Sequence, residues 1–362
     1  MLNERSENAQ ATEAWVAAQR QGFHEAIEAF NPAKPVLILS HHDADGLSAA
    51  AILARALERG GRQVQVRLLG RGENAWSAEM ALELHAQDVG GLIVADLGTR
   101  AEPPRPGMAT VLIDHHVPTG VPDEALLVSG HGLHPTPTTS LLAWWCAGAV
   151  AEVDDLLWLA AIGIIGDMEE ASGFPELAAA RGRWGITSLR SAVSLLNAPR
   201  RASSGDAGPA LSLLLKADGP KAVLSGHFPE TALLQAAKAE VQDALATGRR
   251  AAPRIRDKIA LIRLDTPCQI HPLIAQQWKG RLKDKVVIAA NIGYRPGWVH
   301  FAARTGHGTN LIEFFRAHKP EGADPINYGN GHAQASGGAL QPAAWNHFVA
   351  SLGFGADEQV PE

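Results

Sequence analysis

The chain has 362 residues, enough for two domains of ordinary size. At 46% hydrophobic and 19% charged it can bury a core, which excludes a disordered chain. Net charge is −6 but unevenly spread: from Arg249 to Lys319 fourteen Lys or Arg face four acids, leaving −16 for the rest. A cationic block beside an acidic remainder points to one part that holds an anion and another that holds metal.

Two cysteines, Cys146 and Cys268, argue against a disulfide framework or a thiolate cage and fit a reducing cytoplasm. The N-terminal stretch lacks the basic start and apolar run of a secretory signal. No apolar run reaches the ~18 residues of a membrane span, so no membrane partner is expected.

In chain order, residues 12–30 have helical spacing and end before Pro32 and Pro35. Val36-Leu37-Ile38-Leu39 reads as a strand, and residues 47–60, rich in Ala and Leu with a closing Gly, as a helix. Residues 63–68 alternate as a second strand, and 73–85 form another helix. Strand and helix then alternate to about Asp167, the pattern of a doubly wound, mostly parallel α/β sheet. Residues 170–215 are helical with a break at 203–209, and 231–248 form a long amphipathic helix. Strand-like segments return at 258–263, 286–290 and 298–302, giving a second, smaller α/β domain joined by connector helices. The expected division is a domain over 1–200, a helical connector over 201–250 and a second domain over 251–362.

Four clusters carry the chemistry. They are His41-His42-Asp43-Ala44-Asp45-Gly46, Asp96, Asp114-His115-His116 and Asp167, each closing an apolar run. Continuous apolar runs are the mark of parallel strands buried on both faces, and ligands bind outside the carboxyl ends of such strands. Carboxylates brought together there repel unless cations lie among them, so the pattern asks for metal, two ions of it. In an extended segment residues 41, 43 and 45 share one side, which favours His41 over His42 as a ligand. His42 is left for substrate or for a role behind the ligands. One His with two Asp suits Mn²⁺ or Mg²⁺. If His115 or His116 binds metal, its neighbour points elsewhere and can face a phosphate.

The ordered set His-x-Asp-x-Asp-Gly, Asp, Asp-His-His and Gly-x-x-Gly-Asp resembles the DHH phosphoesterase superfamily over residues from about 34 to 170. A second match, Gly329-Asn330-Gly331-His332-Ala333-Gln334-Ala335-Ser336-Gly337-Gly338, resembles the signature of the DHH-associated C-terminal domain. Asn330 and Ser336 depart from that signature, and Arg304 resembles the domain's substrate-gripping arginine. Within the superfamily, oligoribonuclease and pyrophosphatase types place a His where Leu39 stands. The Ser-His-x-Asp-x-Asp-Gly form is closer to RecJ-like members, which commonly have Asp where His41 stands.

The resemblance implies two-metal phosphoryl hydrolysis on single-stranded DNA, RNA or short oligonucleotides, as a Mn²⁺-dependent 5′–3′ exonuclease with Mg²⁺ as the alternative ion. One ion takes His41, Asp43 and Asp96. The other takes Asp45, Asp96, His115 and Asp167. His116 binds a phosphoryl oxygen, and Asp114 orients a histidine. Arg304, His332, Gly331, Gly337 and Gly338 hold the substrate. Two competing readings stay open: a phosphatase or phosphodiesterase for cyclic dinucleotides, phosphoadenosine phosphate or polyphosphate, and a non-catalytic nucleic-acid-binding protein on the same fold. A homodimer is compatible with either.

Overall fold

The structure is a computed structural model that describes residues 2–306, 308–324 and 327–361. The chain divides into two compact units, residues 1–200 with 205–235, and residues 201–204 with 236–362.

The first unit opens with α1 (Leu2–Ala29), followed by β1 (Val36–Ser40), α2 (Ala44–Arg59), β2 (Val64–Leu68) and α3 (Ala78–Ala86). Strands β3 (Gly91–Ala95), β4 (Thr110–Asp114) and β5 (Ala125–Ser129) complete a five-stranded sheet of order β2-β1-β3-β4-β5, parallel throughout. Helices follow: α4 (Thr139–Ala147), α5 (Leu157–Gly166), α6 (Pro175–Trp184), α7 (Ile186–Leu196), α8 (Gly208–Lys216) and α9 (Pro220–Leu224). Helix α10 (Pro229–Gly248) begins in this unit and ends in the second.

Successive side chains of the central strands point to opposite cores. Val36, Ile38, Ile93, Val111 and Ile113 pack with residues of α1, α2, α4 and α5. Leu37, Leu39, Leu92, Val94 and Leu112 pack on the other side with Met80 and Leu84 of α3. Burial on both sides is why these strands read as unbroken apolar runs. The order places β1 between β2 and β3, so the direction of winding reverses there. In open sheets of this kind ligands bind at such a point, beyond the carboxyl ends of the strands.

Two expectations change. The helix expected over 73–85 starts only at Ala78, where the Ser77 side chain accepts from the Met80 N–H. The apolar run into Asp167 is not a strand but helix α5, with Trp158 to Ile164 buried on every side. A helix enclosed all round shows no 3.6-residue period, so it cannot be told from a buried strand by pattern.

The second unit holds a six-stranded mixed sheet, β10-β11-β9-β8-β7-β6. Its elements are β6 (Arg254–Arg256), β7 (Ile259–Leu264), α11 (His271–Arg281), β8 (Val286–Arg295), β9 (Trp298–Thr305), α12 (Leu311–Ala317), β10 (Tyr328–His332), β11 (Ala335–Leu340) and α13 (Pro342–Ser351). One side packs Phe301, Ala303 and Ile288 with Phe315, Trp345 and Phe348. The other packs Ala302, Val287 and Ile262 with Ile274 and Ala275 of α11. The chain is thus α/β, a doubly wound parallel sheet with a second, smaller α/β domain. No described helix is long and apolar enough to cross a membrane.

Candidate active site

Ser40 ends β1 with its hydroxyl donating to the Gly46 carbonyl, 2.9 Å, which folds residues 41–46 into a tight turn. A Cβ at Gly46 would lie 2.6 Å from the His41 carbonyl oxygen, so this turn needs glycine. The segment does not stay extended as the alternation reading assumed. Asp43 caps α2 by accepting from the N–H groups of Asp45 and Gly46 at 3.1 and 3.2 Å. Asp45 thereby falls within the first turn of α2 and points away from Asp43.

Asp45 is fully buried and is held by α4. Its two oxygens accept from the backbone N–H groups of Thr139 and Ser140 at 2.8 and 2.9 Å. Those donors belong to a helix N-terminus and have no partner inside the helix, which suits a carboxylate. The Thr139 hydroxyl also donates to Asp96, 3.1 Å. The start of α4 therefore holds two carboxylates. Gly163 of α5 lets this happen, since a Cβ there would meet Asp45 Oδ1 at 2.1 Å and Ser140 Oγ at 1.9 Å.

Asp96 follows β3 with φ of 63°, a left-handed conformation that Asp tolerates better than most residues. Its Oδ2 lies 3.4 Å from His41 Nδ1 and its Oδ1 3.6 Å from His115 Nε2. His41 Nδ1 is also 3.2 Å from Asp43 Oδ2. His115 Nε2 is 3.2 Å from Asp167 Oδ2, carried at the end of α5. Three groups could each hold an ion, with ligand atoms within 4.8 Å of one another: His41, Asp43 and Asp96; Asp45, His115 and Asp167; Asp96, His115 and His116. His42 belongs to none of them, and its Nδ1 is buried without a partner among the described residues.

Charge explains what this cage needs. Burial raises Asp96 to about 7, His41 draws it down, and Asp43 and Asp45 push it up again. Burial, then Asp45 and Asp96, raise Asp167 to about 9. Burial also raises Asp45. Asp43 is the exception: burial pushes it up, but His41 and Arg200 bring it well below the carboxylate range. Carboxylates that cannot all ionise together are relieved by cations among them. The donor set of His and carboxylate in each trio fits hard or borderline divalent ions.

Asp114 lies behind the cage. Its Oδ1 accepts from the His116 N–H at 2.7 Å and meets His116 Nδ1 at 2.9 Å, while Oδ2 accepts from the Gly98 N–H at 2.7 Å. The hydrogen bond to Asp114 raises His116 to about 9. The His116 side chain is 52% exposed, so it stays open to solvent while one of its nitrogens lies near Asp96 and His115.

Sequence reading missed Arg200, whose Nη1 lies 3.2 Å from Asp43 Oδ2, and Asn197, whose Oδ1 accepts from the Ala44 N–H at 3.0 Å. It also missed Thr139 and Ser140. None carries a motif of its own; they are ordinary residues until the fold brings them to the cage.

In the second unit the glycine-rich motif is the hairpin β10–β11 rather than a loop. Cβ atoms at Gly331, Gly337 and Gly338 would lie 2.4, 2.5 and 2.4 Å from the carbonyl oxygens of Ala335, Phe301 and Asn327. Close strand packing requires these glycines before any ligand does. His332 is exposed at the hairpin end, and Arg304 pairs with Ala335 across β9 and β11. Burial lowers Arg304, and no ion pair of Arg304 is found among the described residues. Of the aromatics in the basic block, Phe301 and Tyr294 are buried core residues; Trp278 and Trp298 are half-buried.

No family model and no curated protein matches the chain. Solved structures do. RecJ from Thermus thermophilus in complex with Mn²⁺ superposes with TM-score 0.71 at 20% identity, over 92% of this chain and 54% of that one. This chain thus spans about half the length of that protein. An exonuclease RecJ bound to manganese gives 0.67 at 21% identity, over 92% and 93%. A DHH domain described as a member of the s1p family of ribosomal proteins gives 0.63 at 16%, over 96% and 92%. At these identities the likeness is one of fold.

Proposed function

We propose that this chain, which has the RecJ-like fold of the DHH phosphoesterase superfamily, is a metal-dependent phosphodiesterase acting on single-stranded DNA, RNA or short oligonucleotides. One observation carries the reading: Asp96 turns one carboxylate oxygen towards His41 and the other towards His115. That is the disposition of a bridging ligand between two cation sites. His41, Asp43 and Asp96 would hold one ion; Asp45, Asp96, His115 and Asp167 would hold the other. When bound there, Mn²⁺, or Mg²⁺ as the alternative, would supply Lewis acidity at the phosphoryl group and neutralise the carboxylates.

The chain's own residues do the rest. Asp114 fixes the His116 ring, and His116 donates to a phosphoryl oxygen as charge develops there. Arg200 stands beside Asp43 and offers a second positive group to the same phosphate. Arg304 and His332, with the hairpin at Gly331, Gly337 and Gly338, hold a phosphate of the substrate. The block of fourteen Lys or Arg against four acids supports a polyanionic substrate. The likeness to a protein named as an exonuclease supports cleavage from a strand end. The 5′–3′ polarity rests on the motif resemblance.

The test is an activity panel with Mn²⁺ on end-labelled DNA and RNA single strands, cyclic dinucleotides and polyphosphate. A ladder growing from the 5′ end upholds the reading. Hydrolysis confined to small phosphates favours a phosphatase. Absence of bound metal together with strand binding favours a non-catalytic protein.

A further inference from the structure

Helix α5 ends in a two-bond cap. The Met168 N–H donates to the Ile165 carbonyl at 3.2 Å and the Glu169 N–H to the Ile164 carbonyl at 3.0 Å. In this cap the residue at position 168 must be left-handed, and Met168 has φ of 64°. Glycine is the residue that fits there without strain, and asparagine the next. A long apolar side chain is a poor choice for the fold on that ground. It is poor on a second ground too: Met168 is 88% exposed and belongs to no buried cluster of the described residues. The fold therefore bears a strained backbone and a bare thioether at one position. That position immediately follows Asp167, whose carboxylate is 3.2 Å from His115. Another large apolar residue, Val117, is 65% exposed and immediately follows His116.

We propose that Met168 receives the nucleobase next to the scissile phosphate, with Val117, which follows His116 in the chain, as a second exposed apolar residue adjoining a residue of the same cage. The proposal rests on the nuclease reading above and adds to it a base-recognition element. Bases flank every phosphodiester of an oligonucleotide, and their flat faces are poorly hydrated. A polarizable thioether packs well on such a face whatever the base, so the contact grips without reading sequence. Strain kept at a residue beside a functional cage is accounted for when the side chain, not the backbone, is what matters.

The experiment uses the full chain with Mn²⁺ and two labelled hexamers: oligo-dA, and the same strand with abasic positions around the cleaved bond. The variants are Met168→Gly and Met168→Leu. The expected result is that the ratio of kcat/KM for the base-containing over the abasic strand falls about two- to tenfold in M168G and stays within about twofold in M168L. Thermal midpoints of M168G should equal or exceed wild type, because glycine suits the cap. An unchanged ratio in M168G overturns the proposal, as does a lowered midpoint, which would assign Met168 to packing. Fluorescence anisotropy of the same strands gives a readout independent of turnover. If wild type cleaves neither strand, the nuclease reading fails; the base contact still stands if M168G alone loses its preference for the base-containing strand, and falls if it does not.

Discussion

The two units gather charge of opposite sign under burial. In the first, Asp45, Asp96 and Asp167 crowd with two histidines, and burial followed by mutual repulsion drives Asp96 to about 7 and Asp167 to about 9. In the second, His271 lies buried beside Tyr294 and His300 with ring centroids 5.6 and 6.2 Å away. Burial, then His300, Arg304 and Arg201, bring His271 down to about 3. Neither arrangement helps folding, because buried like charges cost free energy that packing does not return. The first makes sense with cations from outside the chain, and the second is relieved by His271 staying neutral. The contrast teaches that crowded like charge is relieved in two ways: a cage of carboxylates asks for cations, whereas a buried histidine among cations gives up its own proton.

The comparison breaks hardest at Asp96. Asp96→Ala removes the residue that lies between His41 and His115, and hydrolysis should fall by about three orders of magnitude or more, since such sites act as units. Metal titration of the variant should show weakened binding at both positions. Full activity would defeat the bridging assignment. Arg304→Ala, in the cationic unit, should lower kcat/KM for a phosphorylated strand about ten- to a hundredfold, chiefly through KM. Arg304→Lys should recover only part, because a lysine cannot grip phosphate in two places at once. A change in kcat alone would move Arg304 from holding substrate to the chemical step.

Much of this contrast was legible beforehand, for a physical reason. Asp96 and Asp114 close apolar strands and Asp43 follows one by a short turn, and a strand buried on both faces announces itself and its end. Asp167 was legible as a residue but not as a helix end, because α5 is enclosed on all sides and shows no period. The role of α4 was invisible. Thr139 and Ser140 hold Asp45 and Asp96 through backbone N–H groups and a hydroxyl, and any sequence at a helix start offers such groups. Arg200 read as one basic residue among many until the fold placed it at Asp43. In the second unit the glycines at 331, 337 and 338 pointed to phosphate, whereas strand packing already demands them. His271 carried no signal at all, since its meaning lies in which cations surround it.

A smaller effect sharpens the acidic side. Gly163→Ala would drive a methyl group into Asp45 Oδ1 and Ser140 Oγ. The start of α4 must then shift, costing about 1–3 kcal/mol of stability as an overpacked core does. Because Asp45 moves with α4, metal affinity should fall along with the melting temperature. Gly182→Ala, where a Cβ meets nothing within 4 Å, is the control. Equal melting temperatures and metal affinities for the two variants would show that the α4–α5 approach does not govern the cage.

The smallest effect per step tests the cationic side through pH. His271 is neutral when folded, its proton affinity lowered to about 3 by burial and then by the positive groups near it. An unfolded histidine titrates near 6.5. Below that value the unfolded chain takes up a proton that the folded chain refuses, so the unfolded state gains. The stability contributed by keeping His271 neutral is therefore complete above about pH 6.5 and is lost as pH falls towards about 3. The loss approaches about 1.4 kcal/mol per pH unit for one proton. Urea unfolding followed by tryptophan fluorescence between pH 7.5 and 5.5 measures it. In His271→Gln that part of the slope should vanish, whatever the absolute stability of the variant. An identical slope in both proteins would mean that His271 takes up its proton alike in the folded and unfolded chain, and that burial and the neighbouring positive groups do not hold it neutral as the comparison requires.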